Sequence, residues 1–438
     1  MNVIEVEVIS NEIIKPSSPT PDHLRHYELS FLDQTSPKSY NPFVYFYDLN
    51  GDDGNSIDEI SNKIKKSLSE VLTVYYPLAG RVKNDRFVDC NDEGVLYTVA
   101  RVNPPCHVSE AMKNFRPSDL SELLPFKTHQ LTEYAVGVQL NIFEGGGIAV
   151  GLCVLHQITD ALSCLMFVKA WVDISRGEAD TIARPEFVSA TLFPPKEDPG
   201  FDGGANISTA IVTKRFVFDA SAIEAIRAKN KNEEMTNSVE EYQRPASRVE
   251  TLSAFIWSHL VAATSEECSS DSENAYAAIH AVNLRRKLDP PLPEESFGNL
   301  SRCSIVMFNG EEEYCCGYGE MVRRVREGIR NIDMEYLSKV MKEGDVNLNF
   351  LRAYARKIFM NGGMFNSFIF TSLCRFPLYE ADFGWGEPAW VSSAAMCVNN
   401  VVVLMDTKTG NGVEVYISLK EEHMVKLEAN HEFPKATN

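Results

Sequence analysis

The sequence predicts an α/β protein of two similar-sized domains, each built on a mixed β-sheet flanked by helices. Three observations carry that expectation. The chain has 438 residues, whereas a single hydrophobic core rarely grows beyond roughly 250–300 residues. Helical and strand-like hydrophobic periods alternate in both halves. Between the halves the composition changes to Phe193-Pro194-Pro195-Lys196-Glu197-Asp198-Pro199-Gly200-Phe201-Asp202-Gly203-Gly204-Ala205-Asn206, where proline, glycine and charge together mark a linker. The expected division is therefore 1–192, a linker at 193–208, and 209–438.

In the first half, Ser56-Ile57-Asp58-Glu59 is a capping box, and Ile57, Ile60, Ile64, Leu68, Val71 and Leu72 follow at helical spacing. Tyr76-Pro77 should stop that helix, with Gly80 in the turn. Phe87-Val88-Asp89-Cys90 and Val95-Leu96-Tyr97-Thr98-Val99 flank Asn91-Asp92-Glu93-Gly94, which predicts a hairpin. Tyr134 to Phe143 alternates like a strand. Ile148 to Leu155 is nearly all apolar, as in a strand buried on both faces, and from Ala161 the spacing turns helical. Gly145-Gly146-Gly147 precedes a strand instead of opening a helix, so it is a turn. In the second half, Ser247-Arg248-Val249-Glu250 opens another capped helix. Strands are expected at Ala277–Leu284, Ser304–Phe308, Ser367–Thr371, Val401–Met405 and Val413–Leu419, with a charged helix from about Glu320 and a closing helix.

Composition removes several function classes. A net charge of −19 disfavours nucleic acid and anionic membranes as partners, though an anionic co-substrate needs only a few local cations. The N-terminus lacks a basic segment followed by an apolar one, and no stretch approaches the ~18–20 apolar residues of a membrane span. The 10 cysteines are scattered without a C-x-x-C pair, and Cys315 and Cys316 are adjacent. That usage reads as reduced thiols without a metal site, in a cytoplasmic protein.

Walker A, G-x-S-x-G, H-E-x-x-H and EF-hand patterns are missing. What remains is Leu155-His156-Gln157-Ile158-Thr159-Asp160: a buried strand ends, a histidine stands at the turn, and a carboxylate follows four residues on. An imidazole there can take a proton near neutral pH. The same pattern also describes a hydrogen-bonded structural histidine beside a helix-capping aspartate. Two further segments bear on the choice. Tyr76-Pro77-Leu78-Ala79-Gly80-Arg81 lies upstream; Asp382-Phe383-Gly384-Trp385-Gly386 lies far downstream, too glycine-rich for a helix and too aromatic for a plain turn. In this order and at these separations, H-x-x-x-D and D-F-G-W-G resemble the two signatures of the BAHD acyltransferases, plant enzymes that use acyl-CoA thioesters. Lys15 to Pro21, Leu32-Asp33-Gln34, Val88 to Asp92, Asn283-Leu284-Arg285 and Gly298-Asn299 are similar to the branch containing vinorine synthase, so the resemblance covers essentially the whole chain.

The resemblance implies a chloramphenicol-acetyltransferase-like fold with a channel between the domains. Acyl-CoA enters from one side as a co-substrate, an alcohol enters from the other, no cofactor stays bound, and the protein is a monomer. His156 and Asp160 form the catalytic motif: His156 is the base, while Asp160 turns away to pair with Arg285. Asp382, Gly384 and Trp385 hold the channel's shape. Lys214 and Ser253 are candidates for coenzyme A contacts, against the plainer readings of a solvated strand edge and an ordinary serine. Acetyl is the favoured donor, and an alkaloid, terpenoid or similar alcohol the acceptor. The chain departs from the family pattern at Gln157 and Thr159, at Glu380, and at Leu373, which stands where many relatives carry a tryptophan able to donate to an oxyanion. A non-catalytic binding member and a non-CoA reaction on the same scaffold stay open as alternatives.

Overall fold

The computed structural model describes residues 4–49, 56–199, 211–234, 245–265, 274–309, 317–361, 363–396 and 398–437. Residues 200–208 of the expected linker lie outside these, as does the Cys315–Cys316 pair.

The apolar run Ile148–Leu155 is a strand whose eight residues are all buried. It pairs antiparallel with Val136–Ile142 on one side and with Tyr40–Tyr47 on the other. The first sheet runs, in spatial order, Glu5–Ile14, Val95–Asn103, Val136–Ile142, Ile148–Leu155, Tyr40–Tyr47 and Trp390–Ser392. Its only parallel neighbours are Val95–Asn103 and Val136–Ile142. Helices Ile57–Val74 and Ala161–Ser175 pack together, and the Trp171 indole N–H donates to Ser67 Oγ at 3.0 Å between them. Ser56 and Glu59 make both bonds of the predicted capping box.

The second sheet runs Ser301–Asn309, Ala275–Asn283, Phe365–Ser372, Val401–Asp406, Val413–Lys420, Ile211–Phe218 and Ala436–Thr437. Phe365–Ser372 is parallel to both neighbours, so this sheet is mixed as well. Tyr276 and Ala278 face a core shared with helix Arg248–Thr264 and helix Tyr318–Arg330. Ala277 and Ile279 face the other way, where Leu351 of helix Val346–Met360 meets them. That alternation is the strand period of two at work.

One expectation needs correcting. Phe87–Asp89 and Val95–Asn103 do not form a hairpin. Phe87–Asp89 joins Arg81–Lys83 and His26–Glu28 in a separate three-stranded sheet, while Val95–Asn103 runs between Glu5–Ile14 and Val136–Ile142. The tight turn falls earlier, at Asn84 and Asp85, with φ of 53° and 57°. Both residue types tolerate that left-handed region. A further strand, Trp390–Ser392, comes from late in the chain yet completes the edge of the first sheet beside Tyr40–Tyr47.

The strand that ends at His156 is close-packed along its length. A Cβ added at Gly151 would lie 1.9 Å from the Leu123 carbonyl oxygen, and that backbone cannot rotate away as a side chain could. Gly151→Ala is therefore expected to cost about 3 kcal/mol, the upper end of overpacking penalties. Urea unfolding measures it, and an unchanged midpoint would contradict the packing described.

Candidate active site

The end of strand Ile148–Leu155 becomes the head of helix Ala161–Ser175 through five residues, each held by hydrogen bonds. His156 N–H donates to the Ser39 carbonyl at 2.8 Å. The amides of Ile158 and Thr159 return to the carbonyls of Leu155 and His156, and Thr159 Oγ1 donates to Leu155 O at 3.0 Å. Gln157 Nε2 donates to Asp85 Oδ1 at 2.8 Å, and Lys38 Nζ donates to the other oxygen of the same carboxylate. Asp160 then caps the helix, accepting from Ser163 N at 2.8 Å.

Asp160 does not face the imidazole. Arg285 grips it with two parallel bonds, Nη1 to Oδ2 at 2.8 Å and Nη2 to Oδ1 at 3.1 Å, and Leu300 N–H donates to Oδ2 at 3.0 Å. Arg285 spends its remaining capacity on Ser296 O, Ser163 Oγ and Asn283 Oδ1. It is 1% exposed and Asp160 6%, so this is a buried, bidentate ion pair with its lone pairs and protons used up.

The partner of the imidazole is Asn299, which sequence reasoning noted only as part of a family match. His156 Nδ1 lies 3.2 Å from Asn299 Oδ1. The amide orientation follows from its other side, where Nδ2 donates to the His156 carbonyl and to Asp33 Oδ1, both at 2.9 Å. Both are acceptors, so the amine end must point to them and the oxygen to Nδ1. The ring itself is half-buried. Burial holds its pKa below the ordinary histidine value, with the Asp160 charge and the Asn299 bond opposing.

The D-F-G-W-G loop is pinned to the first sheet and its helix. Asp382 Oδ1 accepts from the amides of Gly384 and Gly386 at 2.7 and 2.9 Å. Arg176 and Ser175 donate to the carbonyls of Asp382 and Phe383, and Tyr47 OH donates to Ala381 O at 2.6 Å. Trp385 meets Tyr47 edge-on and carries Lys63 over its face. Lys214 is engaged with Glu428 at 2.6 Å, so it is not an unpaired cation. Ser253 is fully buried on helix Arg248–Thr264, its hydroxyl without a hydrogen-bond partner among the described residues. Leu373 is buried in the large apolar core.

A cavity of about 400 Å³ opens at the start of that helix, lined by Ser247, Arg248, Asn283, Cys374 and Arg375 among others, but by neither Lys214 nor Ser253. Asp406 organises its charged wall, accepting from Arg248 Nη2 at 2.9 Å and from the Arg375 backbone N–H at 2.6 Å. Arg375 sits at φ 70°. Asn283, which braces Arg285, shares this wall, so the cavity abuts the Asp160–Arg285 pair.

Two α/β layers, a histidine at a strand end and a D-F-G-W-G loop are the arrangement that the resemblance implies for an acyl-CoA-dependent acyltransferase, and the comparisons with known proteins bear out that class. The profile of the Transferase family matches residues 4–434, and the chain belongs to that family, the BAHD acyltransferases. It is similar to akuammiline synthase 2 of Alstonia scholaris, 34% identical over 98% of this chain and 96% of that one. It is equally similar to stemmadenine O-acetyltransferase of Catharanthus roseus, 34% identical over 97% of each. Among solved structures, vinorine synthase superimposes with a TM-score of 0.82 at 31% identity, covering 99% of both chains. Among the described residues no helix is long and apolar enough to cross a membrane.

Removing the arginine isolates a buried carboxylate at the helix cap. Arg285→Ala is expected to destabilise the protein by about 3–5 kcal/mol, read by thermal or urea unfolding. A loss below ~1 kcal/mol, the range of exposed pairs, would show that the pair is not buried as described.

Proposed function

We propose that this protein transfers an acyl group, acetyl in preference to others, from acyl-CoA to a hydroxyl of a plant specialised metabolite, with His156 as general base. The observation that carries the reading is the clamp on the imidazole. Asn299 Oδ1 accepts a hydrogen bond from Nδ1–H, which leaves the Nε2 lone pair as the basic site. The named activities of the relatives support the rest, stemmadenine O-acetyltransferase and limonoid acetyltransferases among them.

A thioester carbonyl is already electrophilic, so the demanding partner is the neutral alcohol. As its oxygen attacks the carbonyl carbon, Nε2 accepts the hydroxyl proton. Collapse of the tetrahedral adduct breaks the C–S bond, and the imidazolium returns the proton to sulfur. The products are the ester and free CoA, and the histidine is regenerated. Direct transfer between two bound substrates is favoured over an acyl-enzyme because burial pushes the Cys153 and Cys374 thiols up to about 12 and about 11, where thiolates are scarce. Leu373 has no donor to offer an oxyanion, so that stabilisation comes from other groups.

We place the coenzyme A phosphates in the cavity at Arg248 and Arg375. Guanidinium groups suit phosphate oxygens, and the left-handed backbone of Arg375, held by Asp406, is the kind of local strain that clusters at binding sites. Arg248 and Arg375 thus join Lys214 and Ser253 as candidate coenzyme A contacts; Lys214 is paired with Glu428 as Arg248 is with Asp406.

Three outcomes follow. His156→Ala should lower acceptor-dependent CoA release by ~10²–10⁴-fold in a thiol-detection assay; equal release by both proteins ends the base assignment. Because burial lowers the His156 pKa, the base stays neutral to lower pH than a free histidine. The rate should be flat near neutrality and fall on the acid side of about 6.5; an acid limb centred above that value would contradict the geometry. Arg375→Ala should raise the KM for acetyl-CoA by roughly tenfold, the scale of one charged hydrogen bond, with kcat little changed. An unaltered KM would remove the phosphate assignment.

A further inference from the structure

We propose that Asp33 is a positioning residue that selects the reactive tautomer of His156 through Asn299. The inference rests on the reading of His156 as the base, and deepens it.

Asp33 belongs to a short capping box, Ser30-Phe31-Leu32-Asp33, far from the catalytic motif in sequence. Oδ2 accepts from Ser30 N at 2.9 Å and from Ser30 Oγ at 2.6 Å. Oδ1 accepts from Asn299 N at 2.8 Å and Asn299 Nδ2 at 2.9 Å. Asp33 is 0% exposed and Asn299 1%, and among the described residues Asp33 makes no ion pair. Burying a carboxylate without a counter-ion is costly, and a helix of four residues gains little from a cap. Burial raises the Asp33 carboxyl pKa while its hydrogen bonds oppose the rise, and Oδ1, which meets only the two Asn299 N–H groups, serves as an acceptor.

The consequence is directional. Two acceptors, Asp33 Oδ1 and the His156 carbonyl, draw the amine of Asn299, so its oxygen faces His156 Nδ1. An oxygen there only accepts, so Nδ1 must carry the proton and Nε2 must be bare. An amide in place of the carboxylate cannot satisfy both sides. If its oxygen stays on Ser30, its amine opposes Asn299, whose side chain is then driven to turn over. The turned amide would donate to Nδ1 and move the proton to Nε2, where it blocks the base.

The test uses the full chain labelled with ¹⁵N-histidine, with the His156→Ala spectrum to assign the resonance. Wild type should show His156 protonated at Nδ1. Asp33→Asn should move the proton toward Nε2 and lower kcat by about 10²-fold with KM nearly unchanged, as expected for a base removed from the transition state. Ser30→Ala, which weakens the same cap but leaves Oδ1 an acceptor, should lower the melting temperature without moving the tautomer. Retention of the Nδ1 proton in Asp33→Asn overturns the proposal, whatever the rate. Should Asp33→Asn fail to fold, Asn299→Ala removes the acceptor from Nδ1, and an unmixed Nδ1 tautomer there overturns it equally. If wild type releases no CoA, the acyltransfer reading fails, while the nitrogen spectra still decide the role of Asp33.

Discussion

The rest of the site depends on one buried ion pair, Asp160 with Arg285. Asp160 begins helix Ala161–Ser175 of the first sheet, and Arg285 follows the last residues of strand Ala275–Asn283 in the second. Their two parallel bonds therefore join the two halves at the point where the chain turns past His156. Such a pair adds little net stability, because desolvation offsets the attraction. What it supplies is register. The carboxylate oxygens also hold Ser163 N and Leu300 N, and Leu300 is the residue after Asn299. The loop that orients the imidazole is thus attached to the pair that fixes the helix cap.

The D-F-G-W-G segment serves the same end from the opposite side. Asp382 closes its own turn with Gly384 and Gly386, and the loop is tied to Tyr47, Ser175 and Arg176. The chain then lays Trp390–Ser392 along Tyr40–Tyr47. Glu414 of the second sheet accepts from Trp390 Nε1 at 3.2 Å and from Tyr416 OH at 3.0 Å, and Arg215 stacks over the same indole. A segment from the second half of the sequence becomes an edge of the first sheet, and a buried carboxylate joins it to the other. Both signature motifs act here as struts between the layers. Among the described residues of the two motifs, His156 keeps a ring nitrogen outside these bonds, and Trp385 keeps a buried indole N–H without a hydrogen-bond partner.

Local features were legible in the sequence wherever one residue pattern decides the outcome. The capping boxes at Ser56 and Ser247 form as spelled, and Ile148–Leu155 is the fully buried strand its composition predicts. The failures are non-local. Asn91 to Gly94 has hairpin chemistry, but flanking strands pair by burial elsewhere, and Trp390–Ser392 is too short to announce itself. At the site, H-x-x-x-D was visible because its members lie four residues apart. Asn299 lies 143 residues from His156 and Asp33 lies 266 from Asn299, so no spacing could link them. The one available signal was the Ser30-x-x-Asp33 cap, whose carboxylate serves a second partner that a cap does not require.

A neutral amide on Nδ1, rather than a carboxylate, suits the proposed reaction. A carboxylate placed there would favour the imidazolium and raise the histidine pKa, and Asp160, the nearby candidate, is saturated by Arg285 and the backbone N–H groups of Ser163 and Leu300. With Asn299 in that place and the ring half-buried, the pKa of the proposed base is held below the ordinary histidine value. In the proposed reaction the weakness of such a base would matter little, because the carbonyl it would serve belongs to a thioester. The imidazolium would be correspondingly acidic and the departing thiolate more basic than imidazole, as thiols are (a cysteine thiol titrates at about 8.5), so return of the proton to sulfur would be downhill. On the proposed reading, the same burial that keeps the base ready for the alcohol would make it an effective acid for the leaving group, and one neutral side chain, held in orientation from behind, would be enough to set up both.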